Sequence, residues 1–196
     1  MNSNYTRSNK SEGNGYCREW AVSLGDARPE ILPFYGHTVT NPVSETCLSQ
    51  WYRASFTVDG VTYVTAEQFM MAEKARLFGD EEIRAEILAA EDPHKCKSLG
   101  RKAKGFDKEI WDREKSSIVE RGNLHKFSQN KELREFLLLT GNKIIVEASP
   151  MDRIWGIGIG KNNPDTQDPA KWRGRNLLGF ALMAVRDRLR GGAEDK

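Results

Sequence analysis

The chain lacks most of the features by which a function announces itself. It holds three cysteines and three histidines in 196 residues. Cys17, Cys47 and Cys96 are odd in number and irregularly spaced, so they form neither a disulfide framework nor a CxxC metal pair. A reducing compartment, cytosol or nucleus, is expected. His37, His94 and His125 are widely separated, with no HExxH-type pair, so neither a metal nor a cofactor is expected. No Gly-x-Ser-x-Gly elbow occurs. No apolar run approaches the ~18 residues that a membrane helix needs, and the opening residues MNSNYTRSNKSEGNGY have no signal-peptide core. Neither charge dominates: 30 Lys+Arg against 28 Asp+Glu leave a net charge of +2. Composition therefore does not mark a bulk nucleic-acid binder, and any partner has to be read from sites.

What is present suits one domain, with 38% hydrophobic and 30% charged residues. Residues 1–30, rich in Asn, Ser, Gly and Arg, are expected to form a disordered extension. Residues 31–191 form the domain and 192–196 a tail. Phe56 to Tyr63 alternates β-branched and aromatic residues around Asp59-Gly60, the pattern of a hairpin. Thr65 followed by Gln68 is a capping-box start, so a helix is expected from Ala66 to the stop at Gly79. Asp80, Asp92-Pro93, Asp107 and Asn130 are further caps, and Gly105, Gly122 and Gly141 are expected stops. Lys143 to Ala148 reads as a strand, Ile154 to Ile159 as a second, and Asn176 as the cap of a final helix. The fold class is α+β, mostly helical, with short strands.

Three places carry candidate chemistry. Glu67, Met71, Lys74 and Phe78 share one side of their helix, beside an apolar stripe, which puts Glu67 at the edge of the core. The stretch Glu147 to Gly160 gathers Ser149, Asp152, Trp155 and the glycines 156, 158 and 160, the composition of a ligand cradle. It is not a dinucleotide fingerprint, because Gly-Ile-Gly-Ile-Gly is not followed by a helix. Arg173-Gly174-Arg175-Asn176 puts basic groups before a helix N-terminus, a plausible phosphate site. Gly100-Arg101-Lys102-Ala103-Lys104 with Trp111, and Lys126 to Asn130, add cations and aromatics suited to a base or a strand backbone.

Taken in order, these residues resemble the NADAR domain family, the NAD- and ADP-ribose-associated family of N-glycosidases, over about residues 48–190. The resemblance runs through Leu48-Ser49-Gln50-Trp51-Tyr52, Thr65-Ala66-Glu67-Gln68-Phe69 with Lys74, Gly100-Arg101, Trp111, and Lys126-Phe127 with Gln129-Asn130. It continues with Glu147-Ala148-Ser149-Pro150, Asp152, Trp155-Gly156-Ile157-Gly158 and Asn176-Leu177-Leu178-Gly179. It implies hydrolysis of an N-glycosidic bond to ribose, with Glu67, Trp111 and Asp152 catalytic. Two departures stand out. Gln50-Trp51 occupies the place of a tighter Leu-Ser-Asn-Phe-like turn, and Gln68 stands where a His is common, so no proton shuttle carries over to that position.

Cleaving such a bond needs a proton for the departing nitrogen and a carboxylate to stabilise the sugar cation or activate water. Glu67, flanked by Phe69, Met70 and Met71, is the expected proton-transfer group and Asp152 the stabilising carboxylate, with the reverse division open. Trp111 would stack, and Lys74 is an alternative participant through an imine. Arg101, Ser149, Trp155, Gly156, Gly158, Arg175 and Asn176 are expected to bind the ligand. The resemblance implies two substrates, ADP-ribose on guanine in DNA and ribosylamino-pyrimidine phosphates of riboflavin synthesis. Both join ribose C1 to an exocyclic amine. The expected partner is therefore the ADP-ribose moiety of a modified, single-stranded nucleic acid or a nucleotide-like small molecule, bound by a monomer. A non-catalytic ADP-ribose reader is the competing class.

Overall fold

The structure is a computed structural model that describes residues 15–192. Residues 1–14 of the expected extension and 193–196 of the expected tail lie outside the described residues. Two small sheets organise the chain. β1 (Ile31–Phe34) and β4 (Ile144–Glu147) run parallel, with Ile31 opposite Ile144 and Phe34 opposite Glu147. β2 (Phe56–Val58) and β3 (Val61–Tyr63) form the expected hairpin. Asp59 and Gly60 both take positive φ, 50° and 80°, as a two-residue turn between right-twisted strands requires. Ile144, Ile145 and Val146 are fully buried, which is why β4 reads as a continuous apolar run rather than an alternating one.

Helix α2 (Ala66–Leu77) begins at the expected residue. Thr65 Oγ1 accepts the Gln68 N–H at 3.1 Å, and Gln68 Oε1 accepts the Val64 N–H at 2.8 Å. The rest of the Gln68 amide donates to the carbonyls of Ile87, Leu88 and Ala90, so this residue ties the helix start to its neighbours. α2 is buried along most of its length by α3 (Glu81–Leu88), α4 (Pro93–Gly100) and α5 (Lys108–Gln129). Its interior Glu73 is consequently paired, with Arg76 at 2.8 Å and with Arg121. α6 (Lys131–Leu139) follows, and α7 (Leu177–Gly191) covers β4 and α5.

Three expectations are corrected. Gly122 does not stop a helix: α5 runs through it, and the glycine is there for packing, since a Cβ would stand 2.5 Å from Phe69 Cδ1. The glycine lets α5 lie close against α2. Ile154 to Ile159 is not a strand. Its backbone is laced to two different segments, Ile157 N–H to Glu147 O at 3.0 Å and Arg173 N–H to Ile157 O at 2.9 Å. Residues 15–30 are built into the body as α1 (Arg18–Ser23) and a 3-10 turn. Their isolated aromatics find places there, with Tyr16 donating to Asp187 at 2.6 Å and Trp20 set edge-on to Phe180.

Candidate active site

The start of α2, the end of β4 and the loop after it meet around a cavity of about 990 Å³. That is the upper end of the ~300–1,000 Å³ usual for ligand sites. Glu67 lines it from the first turn of α2, where its backbone N–H is held by Gln50 O at 2.9 Å. The residue is 3% exposed, and its Oε1 is enclosed with no hydrogen-bond partner. Burial pushes this carboxyl up from 4.5 to about 7. The charge of Asp152 raises it further, while Lys97, the hydrogen bond from the Trp51 side chain and Arg101 oppose the rise. At neutral pH such a group can give or take a proton.

Asp152 sits on the loop after β4 and also lines the cavity. Its Oδ1 accepts the N–H groups of Ile154 and Trp155, each at 2.8 Å, which fixes the carboxyl's direction. Lys74, two turns along α2 from Glu67, donates to Gly100 O at 2.9 Å. Its amine lies 4.4 Å over the Phe106 ring and 5.5 Å over Trp111. Burial, and then the positive charge of Arg101, lowers its pKa, making the neutral amine more available than that of a surface lysine. Trp111, Arg101, Ser149 and Trp155 complete the expected residues on the cavity wall.

Four expected ligand-binding residues are placed elsewhere. Gly156 and Gly158 are buried behind the wall. A Cβ at Gly156 would stand 2.7 Å from Glu147 O, so this glycine serves backbone packing rather than ligand approach. Asn176 is fully buried and left-handed (φ 55°). Its side chain accepts the Glu147 N–H at 3.0 Å and donates to Ile145 O at 2.9 Å, which brackets β4 against the start of α7. It gives α7 no side-chain cap. Arg175 lines a separate, smaller cleft. Lys126, read from the sequence as a cation suited to a base or a strand backbone, is not available to either. It is fully buried, donating to Cys47 O at 2.7 Å and Ser49 O at 2.8 Å, and burial lowers it to about 7.

The structure adds residues that the sequence reading passed over. Glu147, the last residue of β4, lines the cavity with its Oε2 enclosed and unpartnered. Burial raises it to about 8, with Asp152 and Glu67 adding to the rise. The available signal was a carboxylate ending an otherwise wholly apolar strand. Trp51 lies between His94 and His37, edge-on at 4.3 Å and 5.5 Å, with the Lys97 amine 5.6 Å over its ring. All four line the same cavity. Among the described residues no three His, Cys, Asp or Glu side chains converge as a metal-ligand set.

The arrangement offers a buried proton carrier, an oriented carboxylate, an amine of lowered pKa and aromatic walls in one chamber. Known proteins with related sequences match most of the chain. An N-glycosidase of Acanthamoeba polyphaga mimivirus is 44% identical over 159 residues, covering 79% of this chain and 94% of the relative. An N-glycosidase of Nostoc punctiforme is 31% identical over 159 residues, covering 81% and 94%. The NMR structure of the Escherichia coli protein YbiA superposes with a TM-score of 0.69 at 26% identity, covering 90% of this chain and 95% of that one. The NADAR domain model matches residues 34–190, which include every cavity residue discussed above. This chain belongs to the NADAR domain family.

Proposed function

We propose that this protein hydrolyses the bond between ribose C1 and the exocyclic amine of a guanine-like base, and that its substrate is ADP-ribose attached to guanine in DNA. The coarser activity, hydrolysis of N-glycosyl bonds, is the one by which its relatives are named. The observation that carries the reading is Glu67: an enclosed carboxyl at about 7, with one oxygen unpartnered, on the wall of a cavity that also holds Asp152.

The step balances on these groups. As the C1–N bond breaks, the bonding pair leaves with nitrogen and the Glu67 proton joins it. Asp152 stabilises the cation left on the sugar. Water adds to C1 and returns a proton to the Glu67 carboxylate. Glu147, neutral at the same pH, offers a second proton-bearing carboxyl to the ribose, and Trp111 stacks on the ligand. Lys97 and Arg101 supply positive charge for phosphates. Lys74 is the alternative participant: its amine can condense with the C1 aldehyde of an opened ribose, forming an imine with loss of water, and water later hydrolyses that imine to free the sugar and the amine. The cavity's volume supports the larger ADP-ribosyl ligand over a ribosylamino-pyrimidine phosphate, which fills less of it.

The test is a release assay with purified protein and Glu67→Gln, on a guanine-ADP-ribosylated oligonucleotide and, separately, on the ribosylamino-pyrimidine phosphate. Release of ADP-ribose from DNA that is lost in the variant supports the proposal. Cleavage of the pyrimidine alone reassigns the substrate, and ligand binding without turnover on either makes the protein a reader.

A further inference from the structure

Glu147 ends β4 at the cavity wall, and its backbone is fixed on both sides. Its N–H donates to Asn176 Oδ1 at 3.0 Å, its carbonyl accepts the Ile157 N–H at 3.0 Å, and the next residue, Ala148, donates to Phe34 O at 2.9 Å. Asn176 is itself fully buried and tied to Ile145 O at 2.9 Å. The loop behind is equally close: a Cβ at Gly156 would stand 2.7 Å from Glu147 O and 3.3 Å from Ser149 Cβ. A side chain on a strand end held in this way is placed more precisely than one on a free loop. Ile144, Ile145 and Val146 before it are fully buried, so an apolar residue at 147 would continue the strand at lower cost than an acid. The carboxyl is there for something other than folding.

That carboxyl lines the cavity with Oε2 enclosed and no hydrogen-bond partner for it. An oxygen so enclosed, with no donor beside it, supports a negative charge poorly. Burial and the charges of Asp152 and Glu67, against the pull of Lys97, keep the group protonated at neutral pH. As a neutral acid it does not compete with Asp152 for a cation at C1. It offers one O–H donor and one carbonyl acceptor, the complement of a hydroxyl, which also donates and accepts. Phosphates carry charge and belong with Lys97 and Arg101, and a base stacks on an aromatic ring, so the sugar is the part of the ligand that suits Glu147. Glu67 serves the nitrogen on C1 and Asp152 serves C1 itself, and the third carboxyl shares their chamber. The hydroxyl one bond from that centre is the one on C2. We propose that the Glu147 carboxyl hydrogen-bonds the C2 hydroxyl of the sugar being released and makes the site specific for ribose over 2-deoxyribose. The assignment to C2 rests on the N-glycosidase reading above. On that reading a modified guanine in DNA carries two sugars, ribose on the exocyclic amine and deoxyribose on the ring nitrogen, and a contact that needs the 2-hydroxyl tells them apart. A site built to hydrogen-bond a substrate hydroxyl rejects the analogue lacking it, because its own buried polar group is then left unpaired.

The experiment is a cycle of two changes, one in the protein and one in the sugar. kcat/KM is measured for the wild type, Glu147→Leu and Glu147→Gln on the substrate that the wild type cleaves in the release assay above, and on its counterpart lacking the 2-hydroxyl of the released sugar. Loss of that hydroxyl by itself eases cleavage, because an electron-withdrawing oxygen beside C1 is removed. The leucine by itself alters the charges on Glu67 and Asp152. Both effects cancel when the two substrate preferences are compared. The preference for the ribosyl substrate should fall by about tenfold or more from the wild type to Glu147→Leu. Glu147→Gln, whose amide still donates and accepts, should keep most of it. The counterpart lacking the 3-hydroxyl should show no such difference between the proteins. Affinity for ADP-ribose and for its analogue without the 2-hydroxyl of the terminal ribose, read by calorimetry, repeats the cycle without turnover. An equal preference in the wild type and Glu147→Leu, within about twofold, overturns the proposal and leaves the hydrolase reading standing. So does a difference that follows the 3-hydroxyl instead. If the wild type cleaves neither substrate, yet its affinity for ADP-ribose depends on the 2-hydroxyl through Glu147, the contact stands and the hydrolase reading falls. A wild type that neither cleaves nor binds ADP-ribose overturns both.

Discussion

Replacing Glu67 by Gln should stop turnover and stabilise the protein in the same step. An ordinary glutamate gives up its proton near 4.5, and this one near 7. The folded state therefore holds the proton more tightly than the unfolded chain does. Stability from this residue is fully present below pH 4.5 and is lost as pH rises towards 7. At ~1.4 kcal/mol for each tenfold change in acidity, the loss by neutral pH is about 3 kcal/mol. Gln keeps the shape and still accepts the Trp51 hydrogen bond, but it does not titrate. In urea unfolding from pH 4 to 8, the wild type should lose about 3 kcal/mol more than Glu67→Gln across that range. At pH 7.5 the variant should melt about 6–12 °C higher. Its turnover should fall by ~10²–10⁴, the usual contribution of a positioned acid. Parallel stability curves for the two proteins would refute the buried-acid argument, and a variant that retains turnover would refute the role.

Glu147→Gln tests the neutral form of the second carboxyl: raised to about 8, it is already protonated at pH 7, so the isosteric amide should keep activity within about threefold, and a loss as large as that of Glu67→Gln would show that the anion is needed. Trp51→Phe removes a hydrogen bond that favours ionised Glu67, so the alkaline midpoint of the kcat/KM profile should move up, and an unmoved or lowered midpoint would break the link. Lys126, lowered from 10.5 to about 7, is bound as the neutral amine, so its contribution to stability grows as pH rises from 7 to 10. Lys126→Met should lack that gain, seen as a widening gap between the two unfolding curves, and should lower kcat by displacing Trp51.

The parts of the fold that the sequence carried are those settled by neighbours in the chain. Thr65 with Gln68 fixes the start of α2, Asp59-Gly60 the hairpin, and Lys143 to Ala148 the strand, because caps, turns and apolar runs act over a few residues. Glu67, Lys74, Arg101, Trp111, Ser149, Asp152 and Trp155 do share one cavity, and their ordered resemblance to one family anticipated this better than any single motif. What stayed illegible depends on distant partners. Lys126 looks like a surface lysine until its carbonyl acceptors, 79 and 77 residues away, are seen. The glycines of 156–160 have the composition of a cradle, yet Gly156 is needed for close backbone packing, which composition cannot distinguish from ligand approach. Asn176 read as a cap for the same reason: its type suits a helix start, while its partners lie on β4.

Those distant partners also explain how a carboxyl is kept near neutral pH inside the protein. The 47–51 loop is held from beneath by Lys126 on two carbonyls and by Asn123 Nδ2 on Gln50 Oε1 at 2.7 Å, while Gln50 O takes the Glu67 N–H. Trp51 is therefore presented to Glu67 from a loop fixed on three sides, and its hydrogen bond offsets part of the burial that raises the acid. Without that bond burial would drive the carboxyl higher; with full solvation it would return towards 4.5. A proton donor for a departing amine has to lie between these limits, where it gives up the proton as the nitrogen gains basicity and recovers it from water afterwards. Trp51, Lys97 and Arg101 lower the acid while burial and Asp152 raise it, so the value near 7 belongs to the assembled cavity and not to the first turn of α2 alone.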